Sequence, residues 1–185
     1  MSAQLSEEDA TAPSGAKRSS VPAQAARSTP TTDESQCISF PTPETLRKAY
    51  EDLLGDELSF RAVSAFDPHD SQLYLVDLLD DNDEAVGVIG ADLRAVVFQA
   101  GALTMMAKEE REMVFQGGEP NEDMMEAMKE LFTVHARCFC GVPGNPHVRT
   151  GPIRRLTEDD TWLATPAASM ALQDGFDGRM LLASR

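Results

Sequence analysis

Residues Leu73–Ala107 read LYLVDLLDDNDEAVGVIGADLRAVVFQAGALTMMA, and the fold class turns on how this stretch divides. In LYLVDLL, Leu73–Leu79, both parities are mostly apolar, as in a strand buried on both faces. AVGVIGA, Ala85–Ala91, is short, β-branched and glycine-spaced. DDNDE between them has reverse-turn composition, so the two runs form a hairpin. Asp92 is placed to cap a helix in which Leu93, Val96, Val97, Ala100, Leu103 and Thr104 keep helical spacing. Gly101 weakens that helix, and a close packing contact would account for it.

The acidic run also resembles the start of a calcium loop. Counted from Asp80, position 6 is Ala85 and position 12 is Ala91, where such a loop needs Gly and a bidentate Glu. The turn reading stands.

Upstream, TPETLRKAYEDLLG carries Thr42 as a cap, Pro43 in the first turn and an apolar stripe of Leu46, Tyr50, Leu53 and Leu54, ended by Gly55. In LSFRAVSAF, Leu58, Phe60, Ala62 and Phe66 alternate as in a strand. Downstream, a short helix from Lys108 to Phe115 meets Gly117-Gly118, and Pro120-Asn121 opens a longer helix that reaches Arg137. HVRTGPIRRL, TWLAT and GRMLLASR then read as extended, with DGFDG as a turn. Strands grouped apart from helices argue α+β, with helices packed on a largely antiparallel sheet. No Gly-rich phosphate loop follows any strand. This single domain is expected over residues 41–185. Residues 1–40, rich in Ser, Thr, Ala, Pro and Gln, read as a disordered tail.

Charge narrows the functions. The formal net charge of −15 over 185 residues, with no Lys/Arg cluster, argues against nucleic acid and against anionic membranes. The longest apolar or glycine run, Ala85–Ala91, is too short for a bilayer, and the polar, acidic start lacks a secretion signal, so a cytoplasmic location is expected. Three cysteines, Cys37, Cys138 and Cys140, make a disulfide framework unlikely to be the organising principle, and His135 with Cys138 and Cys140 lacks a fourth metal ligand. Buried thiols and a helix histidine are the expected roles, and no metal site is assigned. An enzyme using these three would need a concave pocket and a partner base.

The long helix carries Glu126, Glu130, Thr133 and Arg137 at i, i+4, i+7 and i+11, on one stripe. Any solvated helix face can look like this. With the element order, however, the chain resembles the CheC/CheX family of chemotaxis phosphatases over roughly residues 42–185. That family places an Asp or Ser, a Glu four residues later and an Asn three residues further on one helix, with a distant Pro. Here Glu126 takes the first position, Glu130 matches the glutamate, Thr133 stands where the asparagine belongs, and Pro152 falls a few residues early for the proline.

The resemblance implies a partner, a phosphorylated CheY-type receiver domain. It also implies that the domain needs no cofactor of its own, because Mg2+ would be supplied by the receiver. In the family the asparagine orients the attacking water and the glutamate holds the receiver's lysine. Glu130 and Thr133 are thus the catalytic candidates, and Glu126, Glu130, Thr133 and Arg137 the partner-binding set. Thr133 has one hydroxyl close to the backbone, which the carbonyl of the preceding turn can claim. A displacement of about 1 Å can cost about two orders of magnitude in rate, so weak or lost hydrolysis is implied. The alternative is a non-catalytic structural or adaptor domain with no receiver partner. The last strand could also pair with another chain, giving a homodimer.

Two further clusters have ordinary explanations. The methionines at 105, 106, 113, 124, 125 and 128 are expected to fill gaps between helices and sheet, with an adaptable partner surface as the alternative. His147, Arg149, Arg154 and Arg155 are expected on exposed strand positions of an acidic domain.

Overall fold

The computed structural model describes residues 37–55, 58–70 and 72–185. Nearly all of the segment read as a tail therefore lies outside the described residues. Its last residues are described, and they pack on the domain. Ile38 is buried and its N–H donates to Ser184 Oγ, while Phe40 stacks edge-on against Phe139. Asn145 holds this entry segment by bonding both Ser39 backbone groups, and it also donates to the Phe139 carbonyl.

The elements run α1 (Pro43–Leu54), β1 (Phe60–Val63), β2 (Leu73–Leu79), β3 (Ala85–Asp92), α2 (Leu93–Leu103), α3 (Lys108–Gly117), α4 (Glu122–Cys140), β4 (Arg149–Arg155), β5 (Ala168–Asp174) and β6 (Arg179–Ser184). The expected α+β class is the observed one. Among the described residues, three of the four α-helix starts have a side-chain cap. Thr42, Asp92 and Asn121 accept from the N–H groups of Thr45, Ala95 and Met124, and Gly118 ends α3 with φ +80°. The β2–β3 turn closes on Asp80, whose Oδ1 accepts from the Asn82 and Glu84 N–H groups.

Six strands form one antiparallel sheet in the order β1-β5-β6-β3-β2-β4. Its two faces are both covered. Tyr74, Val76, Leu78, Ile89, Met180 and Leu182 point into the main core beneath the helices. Leu73, Leu75, Val88, Leu181 and Ala183 point the other way, against Leu163 and Trp162. This is why LYLVDLL is apolar on both parities.

Three expectations change. β1 is only four residues long, so the run to Phe66 is mostly irregular. TWLAT is a 3-10 turn, Thr161–Ala164, whose Leu163 plugs the second face; the strand is Ala168–Asp174, in register with β1 and β6. β6 lies between β5 and β3, so both its edges are already hydrogen-bonded within the chain and none is left for another copy. Gly101 does sit at a close approach, since a Cβ there would lie 2.6 Å from the Arg111 stem of α3.

Candidate functional site

Helix α4 has two unlike faces. Met124, Ala127, Met128, Leu131, Phe132, His135, Ala136, Cys138 and Phe139 recur at three- and four-residue steps and are buried against α1, α2 and the sheet. Glu126, Glu130 and Arg137 are exposed on the other side, with Thr133 half-buried between them. Backbone geometry thus brings the four onto one line.

Within that line their settings differ. Glu126 makes a loose exposed pair with Lys129 at 3.8 Å, worth little in water. Glu130 has no ion pair among the described residues. Thr133 Oγ1 donates to the Lys129 carbonyl at 2.9 Å, which commits its one proton to the helix backbone. Glu126 and Glu130 also line an open groove of about 710 Å³ shared with the end of α2 and the start of α3, whereas Thr133 and Arg137 continue beyond it. Pro152 is exposed on the edge strand β4, where a missing N–H breaks no interior ladder.

The expectation of buried thiols holds for Cys138 alone: Cys138 and His135 are buried on the inner face of α4, whereas Cys37 and Cys140 are exposed free thiols. His135 is wholly buried, and burial lowers its pKa to about 4. Its Nδ1 meets the Tyr50 hydroxyl, which donates to the Leu131 carbonyl at 3.0 Å. Burial pushes the Cys138 thiol and the Tyr50 phenol above their ordinary values, so both stay protonated. Cys140 exchanges weak bonds with both backbone groups of Val148. Among the described residues, no group of three or more His, Cys, Asp or Glu side chains could hold a metal ion, and no helix is long and apolar enough to cross a membrane.

The basic segment is neutralised within the chain. His147 pairs with Asp81 at 3.0 Å, Arg149 with Asp83, Arg154 with Asp77 and Asp160, and Arg155 with Glu119. The methionines split. Met124 and Met128 fill the core as expected, but Met105 is 93% and Met113 65% exposed. The groove around Met105, with Glu110 and Asp123, was not visible in the linear pattern because three helices contribute to it.

No family model and no curated protein matches this chain. Among solved structures it is similar to a chain of the CheX–CheY–BeF3–Mg2+ complex from Borrelia burgdorferi. That match has 15% identity, covers 77% of this chain and 94% of that one, and has a TM-score of 0.47. It is also similar to the FliM middle domain from H. pylori, at 9% identity over 77% of this chain and 92% of that one, with a TM-score of 0.36.

Proposed function

We propose that this domain is a signalling module that docks a CheY-type receiver through the α4 face of Glu126, Glu130, Thr133 and Arg137, with aspartyl-phosphate hydrolysis weak or lost. The observation that carries this reading is the contrast along one helix face. Glu130 is exposed and has no ion pair among the described residues, so its carboxylate is available to a partner's ammonium. Thr133, one turn on, has its hydroxyl proton engaged by the Lys129 carbonyl and only a short side chain with which to reach a water. Docking and turnover are thereby separated on neighbouring turns. Magnesium and the phosphoryl group both belong to the receiver in this reading, and the domain would supply only position and charge.

The test is binding of beryllofluoride-activated receivers to the wild-type chain and to Glu130→Ala. A loss of about tenfold on removing one charge-assisted hydrogen bond is expected. Equal affinity for both proteins, or no binding of any receiver, would reject the reading.

A further inference from the structure

We infer that the groove between α2, α3 and α4 receives a segment of a protein partner in which an apolar side chain is flanked by lysine or arginine. The inference rests on the docking reading above and adds to it the chemistry of the partner's contacting segment.

The apolar part of the groove comes from the end of α2. That helix closes as a Schellman ending, with the Met105 N–H donating to the Ala102 carbonyl at 3.0 Å and the Met106 N–H to the Gly101 carbonyl at 2.8 Å. Met105 occupies the left-handed position of this ending, with φ +58°. Glycine fits there without steric cost, and an L residue does not. Met105 gains nothing inside the chain in return, because it is 93% exposed. A strained backbone therefore holds a flexible thioether out over the groove, beside Leu103 and Met106.

Charge selects the occupant. Glu110, Asp123, Glu126 and Glu130 also line the groove. A second copy of this chain, at net charge −15, is a poorer match, since among the described residues the basic segment 147–155 is already paired with carboxylates of its own chain. A heterologous segment with lysine or arginine beside an apolar tip matches both the floor and the rim. Glu126 and Glu130 belong to both the groove and the α4 face, so one partner could engage the two together.

Methionine-methyl NMR on the full chain tests this, with an amidated Lys-Leu-Lys peptide as probe and an activated receiver in a parallel titration. The Met105 and Met106 methyls should shift with the peptide while Met113 stays still, and the effect should fade as salt rises. Met105→Gly should weaken peptide and receiver binding by about tenfold, the loss of one buried apolar side chain. Its melting temperature should not fall, because the left-handed strain is removed with the side chain. Peptide shifts spread equally to Met113, or unchanged binding by Met105→Gly, would overturn the inference. So would self-association that depends on Met105. Receiver binding that survives Met105→Gly intact would sink the groove and leave the docking reading. Peptide binding without any receiver binding would do the reverse.

Discussion

Gln99 Nε2 donates to Asp174 Oδ2 at 2.6 Å, joining α2 to the end of β5 in a site where both side chains are buried. Asp174 Oδ1 meanwhile accepts from the Phe176 and Gly178 N–H groups and so shapes the β5–β6 turn. Burial raises the Asp174 pKa to about 6, against the pull of these three bonds. The native state therefore holds a proton between about pH 4 and 6 that the unfolded chain has released. Stability from this group falls as pH rises through that window, by about 3 kcal/mol.

His135 works in the opposite direction. Its native pKa of about 4 lies below the unfolded value, so between pH 6.5 and 4 the unfolded chain takes the proton and the native state does not. Stability from His135 is full above 6.5 and is lost as pH falls, again by about 3 kcal/mol. The two groups should nearly cancel between pH 4 and 6. Urea midpoints should separate them: the stability of Asp174→Asn relative to wild type should climb from pH 4 to 6, and that of His135→Gln should drop. Parallel profiles for all three proteins would refute the assignment.

Gly178 and Gly117 should respond to alanine in opposite ways. A Cβ at 178 would lie 2.5 Å from the Ala95 backbone in the first turn of α2, which cannot yield without moving the helix. Gly178→Ala should cost about 2–4 kcal/mol. At 117, on the last turn of α3, a Cβ meets nothing within 4 Å, so Gly117→Ala should gain up to about 1 kcal/mol of helix propensity. Chemical denaturation of both variants decides it, and a neutral Gly178→Ala would mean that the turn and α2 are not in contact as described.

Asp160 should be the most sensitive carboxylate in the β4–β5 connection. It is buried, yet Arg154 at 2.8 Å and the Thr157 N–H and hydroxyl surround it. Burial opposes its charge, but these donors outweigh that and hold its pKa below the ordinary value. Its contribution is therefore present above about pH 4 and lost on acidification. Asp160→Ala should cost about 2–3 kcal/mol at neutral pH, since it leaves Arg154 with only the longer 3.3 Å contacts to Asp77. A cost under 0.5 kcal/mol would show the pair to be merely solvated.

Local features were legible in the sequence because their causes are local. Thr42, Asp92 and Asn121 cap helices through bonds to residues three positions on, and Asp80 closes its turn within five residues. The two-faced burial of β2 was written in its unbroken apolar run. What could not be read were features decided at long range. TWLAT has strand-like residues, but Leu163 is drawn under the sheet from a 3-10 turn, while ASMALQD becomes a strand because β1 and β6 are there to pair with it. On α4 the helical period was enough to align Glu126, Glu130, Thr133 and Arg137. Met105 looked like core filler because nothing in its neighbours signals a left-handed residue beyond the helix end.

Replacing Thr133 by asparagine separates docking from turnover. The threonine hydroxyl is tied to the Lys129 carbonyl, and its oxygen sits one bond from Cβ. An asparagine at this half-buried position would carry a donor and an acceptor farther out, on the turn after Glu130. If the α4 face meets a phosphorylated receiver, Thr133→Asn should speed phosphate loss by at least about tenfold, within the range that placing a reacting water is known to supply. Thr133→Val, which deletes the hydroxyl and keeps the shape, should leave receiver affinity within about twofold of wild type and helix stability within about 0.5 kcal/mol. Phosphate release from a panel of phosphorylated receivers measures the first and titration calorimetry the second. Faster hydrolysis by wild type than by Thr133→Asn would reverse the role given to Thr133, because the hydroxyl would then be freed from Lys129 on docking and would itself position the water.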